Sequence, residues 1–134
     1  MASDVIAPTR LRHWWFSHLR DLSDLEMQRR TWLDVTNTNP HWSYVEFVES
    51  YPRADQLADA FKRGWLNVDE LAILSELGRL LESHAAPGGD DFDNQAVLDD
   101  PAWQAVVEAA KRATQRLLSM STDPREREIL LGAA

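Results

Sequence analysis

The chain has 134 residues, 44% of them hydrophobic and 27% charged, a composition that suits one folded globular domain and excludes a disordered chain. It carries 14 basic and 22 acidic residues, a net charge of −8, and no cysteine. Disulfides, thiolate metal sites and a cysteine nucleophile are thereby excluded, and a general nucleic-acid binder, whose footprint would be basic, is disfavoured.

The apolar residues recur at intervals of three and four and nowhere alternate cleanly, which predicts helices and no strand. After Pro8, the residues Leu11, Trp14, Trp15, His18, Leu19 and Leu22 form one wide helical stripe. Ser23-Asp24-Leu25-Glu26 reads as a capping box, with Ser23 accepting from the backbone three residues on and Glu26 reaching back. The second helix then runs to about Asp34, with Leu25, Gln28, Arg29, Trp32 and Leu33 on one side, and Asn37-Thr38-Asn39-Pro40 is a loop. Ser43-Tyr44-Val45-Glu46 is a second capping box, opening a short helix with Tyr44, Phe47, Val48 and Tyr51, which Pro52 ends. A further helix covers about Ala54 to Arg63, and Gly64 stands where a left-handed C-cap is expected, with Trp65 and Leu66 packed back on the turn. Asn67-Val68-Asp69-Glu70 caps a long helix to about His84, carrying Leu71, Leu74, Leu77, Leu80 and Leu81, and Gly78 inside it marks close packing.

Ala86-Pro87-Gly88-Gly89-Asp90-Asp91 is the clearest break, followed by a short helical turn around Asn94 to Leu98. Asp100-Pro101 is a strong start signal, with Asp as N-cap and Pro at the first helical position. The helix it opens runs to about Ser119, with Trp103, Val106, Val107, Ala110, Thr114 and Leu117 on one face, and Asp123-Pro124 repeats the signal for a short last helix. The expected fold is therefore an all-α, compact single-domain bundle of about five main helices plus short helical segments, spanning 1–134 with flexible ends at 1–8 and 132–134. No stretch approaches the roughly 18 apolar residues of a membrane span. MASDVIAPTR lacks the apolar run of a secretory signal, so a cytoplasmic location with no membrane partner is expected.

Charge is unevenly placed. From Leu80 to Ala110 there are seven acidic residues and no Lys or Arg, and without this stretch 14 basic residues face 15 acidic ones. A localised negative field attracts a cationic partner and repels nucleic acid. The segment does not fit a calcium loop. Starting at Asp91, the sixth position, which needs Gly, is Ala96, and the twelfth, which needs Glu, is Ala102. Part of the acid has a plainer use, since Asp100 and either Asp93 or Asn94 suit N-caps. His13 and His18 are five apart and lie on different helix faces, and no HExxH, GxSxG, Walker A or dinucleotide glycine motif is present. Glu46 with Glu49, or Asp55 with Asp59, are carboxylate pairs of the kind helical spacing produces by chance. No catalytic residue, cofactor or metal ligand is therefore assigned. Six tryptophans are many for this length; those at a stripe edge or in a loop, Trp42 above all, are candidate interface anchors.

Leu22-Ser23-Asp24-Leu25-Glu26-Met27-Gln28, Trp32, Ser43-Tyr44-Val45-Glu46, Gly64-Trp65-Leu66 with Glu70, and Val97-Leu98-Asp99-Asp100-Pro101-Ala102-Trp103 together resemble a family of small bacterial all-helical proteins, some of them regarded as immunity proteins that neutralise a toxin. The likeness covers about Leu11 to Leu118, rests on caps and packing residues, and brings no functional residue with it. It implies a non-catalytic binding protein. The expected partner-binding residues are Asp90, Asp91, Phe92, Asp93, Asp99, Asp100 and Trp42, docking on a basic protein such as a toxic nuclease. The alternatives are a self-associating structural protein, or a small-molecule enzyme or sensor with a pocket among Trp32, Tyr44 and Tyr51.

Overall fold

The computed structural model describes residues 8–34 and 43–132. The loop over Asn37–Pro40, Trp42 and the end segments 1–7 and 133–134 lie outside the described residues, whereas Pro8 opens the first helix and Gly132 caps the last. Among the described residues there are eight α-helices and no strand: α1 Pro8–Leu22, α2 Leu25–Trp32, α3 Tyr44–Ser50, α4 Ala54–Lys62, α5 Val68–Ser83, α6 Asn94–Asp99, α7 Pro101–Met120 and α8 Pro124–Leu131. None is long and apolar enough to cross a membrane.

The caps explain the boundaries. Asn67 accepts from the Glu70 N–H at 2.8 Å while Glu70 accepts from the Asn67 N–H at 2.8 Å, a reciprocal box that starts α5. Ser43 accepts from the Glu46 N–H at 3.3 Å. Asp100 and Asp123 cap α7 and α8, each followed by proline. Gly64 has φ +78°, the left-handed turn that lets Trp65 N–H return to the Ala60 carbonyl at 2.9 Å. The break at Pro87–Gly89 folds as a single 3-10 turn. One cap differs from expectation. Ser23 still belongs to the end of α1: its N–H bonds to the Leu19 and Arg20 carbonyls and its hydroxyl to Arg20 O at 2.6 Å. Asp24 therefore caps α2, accepting from the Met27 N–H at 3.0 Å.

The long α7 is the central post, packing against α1, α5, α6 and α8, while α1 also meets α8 and α2, and α4 lies on α5. Its stripe is buried as the spacing predicts, with Trp103 at 0% exposure and Val106, Val107, Ala110, Thr114 and Leu117 all inside. Trp32, Phe47, Tyr44 and Trp103 form an aromatic cluster with ring centroids 5.3–5.8 Å apart along it. Gly78 admits Tyr51 to the α5 surface, where an added Cβ would stand 3.3 Å from the Tyr51 ring.

Two polar devices lock the bundle. The fully buried Gln28 accepts from the Trp103 indole N–H at 3.0 Å and donates to the Asp21 and Leu22 carbonyls at 3.1 and 3.0 Å. It thereby joins α2 to α7 and satisfies carbonyls that the end of α1 leaves without helical partners. Arg12 reaches inward to Glu70 of α5 at 2.8 and 2.7 Å, to Glu126 of α8 at 2.9 and 3.0 Å, and to the Trp65 carbonyl at 2.8 Å. These bonds use every N–H of the guanidinium. Both carboxylates raise the Arg12 pKa, Glu70 most strongly. For Glu70, burial pushes its carboxyl up, but the Arg12 hydrogen bonds and the Asn67 N–H outweigh it and hold it low.

This knot corrects the first helical stripe. The core face of α1 carries Arg12, Phe16, Leu19 and Leu22, whereas Trp14 is 66% exposed and Leu11, Trp15 and His18 are only partly covered. Two acids from other helices turn an arginine inward, and the face bearing Trp14 is turned outward.

Candidate functional site

The acidic segment is an excursion between α5 and α7, and its two ends are clamped together. His84, the C-cap of α5, bonds through Nε2 to Asp100 Oδ2 at 3.0 Å. A carboxylate only accepts, so Nε2 carries the proton, and Nδ1 is hydrogen-bonded with the Tyr44 hydroxyl at 2.8 Å. Asp100 has two tasks, because its Oδ1 also accepts from the Ala102 N–H at 3.0 Å as the cap of α7. The Ala102 N–H, then the His84 ring, hold its carboxyl below the usual range. The His84 ring is buried against Tyr44 and Trp103 at 5.5 and 5.4 Å. The excursion thus stands on a closed, packed base.

Tyr44, His84 and Asp100 have the order of a proton relay. However, Tyr44 is only 4% exposed and its hydroxyl is used inside the fold. Burial first, then the charges of Asp91 and Asp100, push that hydroxyl's pKa up, which places both carboxylates in its surroundings.

The tip of the excursion is unlike its base. Asp90 Oδ1 accepts from the Phe92 N–H at 3.0 Å, a tight turn that leaves the Phe92 ring 81% exposed. Asp93 caps α6 through the Ala96 N–H at 3.1 Å. Asp90, Asp91 and Asp93 are exposed, and among the described residues no Lys or Arg forms an ion pair with them. Asp99 is different: it meets Arg29 at 2.9 Å and Gln95 at 2.8 Å, and these bonds, Gln95 first, hold its carboxyl low. The sequence candidates therefore separate into a tip of Asp90, Asp91, Phe92 and Asp93, a base at Asp100, and Asp99 turned to the bundle's own arginine. Trp42 falls outside the described residues.

Other candidates sit elsewhere. Asp55 and Asp59 are each taken by an arginine, Arg53 at 3.1 Å and Arg63 at 2.8 Å. Trp32, Tyr44 and Tyr51 fill the core, with the Tyr51 hydroxyl donating to the Leu74 carbonyl at 2.6 Å. Among the described residues no group of three or more His, Cys, Asp or Glu is placed to hold a metal ion. Sequence reading missed the His84 clamp, although its signal was there: a histidine ending one long helix and an aspartate starting another, with only 15 residues between them. None of the protein-family models, curated proteins or solved structures matches this chain.

Proposed function

We propose that this protein is a non-catalytic binding module that docks the tip of its acidic excursion on a cationic protein surface, in the manner of an immunity protein neutralising a basic toxin. The observation that carries the reading is Phe92: a large apolar ring, 81% exposed, held out by an aspartate turn among carboxylates that no basic side chain of the described residues neutralises. Exposed aromatic rings that become buried on association supply affinity. Surrounding charge speeds encounter and selects the partner. The buried clamp at His84 and Asp100 supports the same reading, because a pre-set loop loses less freedom on binding.

The test is capture from the native host with the immobilised protein and three variants: Phe92→Ala, Asp90→Asn with Asp91→Asn, and Trp14→Ala as a control on another face. The reading expects a basic protein held by the wild type and by Trp14→Ala and lost by both loop variants. Retention that ignores all loop changes removes the proposal.

A further inference from the structure

The outward face of α1 is the second surface the core does not consume. Trp14, His18 and Asp21 follow one another at helical spacing, and with Leu11 and Trp15 they form one wall of a groove of about 650 Å³. Phe47, Pro52 and Gln56 line the other side. Ser17 and Ser50 add hydroxyls to the lining, and a space of this size that mixes rings with polar groups suits a small polar-ended ligand.

Among the described residues, Asp21 is the only formally charged side chain that lines this groove. It is partly buried, and among the described residues its carboxylate has no hydrogen-bond or ion-pair partner, although its backbone carbonyl is used by Gln28. Arg20, whose charge acts on it, is engaged with Asp24 at 3.4 Å. His18 bonds through Nε2 to the Phe47 carbonyl at 3.0 Å, and burial lowers its pKa, so at neutral pH it brings no positive charge to the groove. Burial, against the pull of Arg20, raises the Asp21 carboxyl to about 6. An unpartnered, half-desolvated carboxylate costs stability, and such a cost is most often kept where it has a use.

We infer that this groove binds a small organic cation, an ammonium group on an apolar body, with Asp21 facing the charge and Trp14 and Trp15 packing the body. A ring face attracts a cation, and a carboxylate beside it adds the directional charge. The surface is separate from the acidic excursion, so either proposal stands if the other falls.

The probes share one phenyl ring and differ in charge: 2-phenylethylammonium, 2-phenylethanol and 3-phenylpropionate. They are titrated at pH 7.5, where the Asp21 carboxyl is ionised, while the tryptophan indole N–H resonances are followed by NMR. The ammonium is expected to shift the Trp14 and Trp15 signals and to bind at least tenfold more tightly than the alcohol, with the carboxylate weakest. Asp21→Asn should cancel that preference while leaving alcohol binding within twofold, Asp21→Glu should restore part of it, and Phe92→Ala should leave it unchanged. Equal affinity for ammonium and alcohol, a preference that survives in Asp21→Asn, or indole signals that do not move at millimolar ammonium would overturn the inference.

Discussion

Replacing Arg12 with methionine should unfold this bundle far more readily than its position in an arginine-rich helix suggests. The side chain is 19% exposed, and the Glu70 and Glu126 side chains it joins are 10% and 8% exposed. Removing it leaves two nearly buried carboxylates without their shared cation and the Trp65 carbonyl without its donor. Breaking a buried ion pair from one side costs about 3–5 kcal/mol. The partial exposure of Arg12 points to the lower end, about 3 kcal/mol, or about 9 °C in Tm for a chain of this size. The deficit should depend on pH. In the wild type the Glu70 carboxyl is depressed, so its contribution is present above the unfolded value and is lost as pH falls through the folded one. Without Arg12, burial raises the carboxyl against the Asn67 N–H alone, and protonation then relieves the variant. Urea unfolding at pH 7.5 and 4.5 should therefore show a gap that narrows in acid, and adding Glu70→Gln and Glu126→Gln to the variant should restore most of the loss at pH 7.5. A deficit below about 1 kcal/mol, or one equal at both pH values, would refute this account of the knot.

Asp21→Asn should stabilise the fold at pH 7.5. The folded carboxyl lies at about 6, above its unfolded value, so wild-type stability falls as pH rises from about 4 to 6. After discounting for solvent screening the gain is about 1 kcal/mol, and it should vanish in melts at pH 4. Gln28→Leu strands the Trp103 indole N–H and two carbonyls and should cost about 2–4 kcal/mol in urea unfolding. Gly64→Ala should cost about 1 kcal/mol from backbone strain alone, since φ is +78° and an added Cβ meets nothing within 4 Å. Phe92→Ala should leave thermal stability within about 0.5 kcal/mol, as a ring in solvent contributes little to the fold.

Local chemistry made most of the architecture legible. Asp-Pro pairs, the Asn67–Glu70 box and Gly64 each act within a few residues, and all appear where the sequence places them. What was not legible depends on residues distant in the chain. Arg12 lies inside because Glu70 and Glu126, 58 and 114 positions away, meet it there. Trp14 then lies outside, although a tryptophan on an apolar stripe reads as core. Ser23 lost its cap to Asp24 because α1 continues into it. In the candidate site the exposed acids and Phe92 were visible as a charge run, whereas the division between the free tip, the Asp99–Arg29 pair and the His84–Asp100 clamp required the fold.

The most direct trial of the docking proposal is calorimetric titration of the captured partner into wild type and Phe92→Ala at 50 and 500 mM salt (about a threefold change in screening length). Docking through the excursion predicts at least tenfold weaker binding at the higher salt and a further loss of at least tenfold on removing the ring. An affinity that holds steady across salt and survives without Phe92 would contradict it.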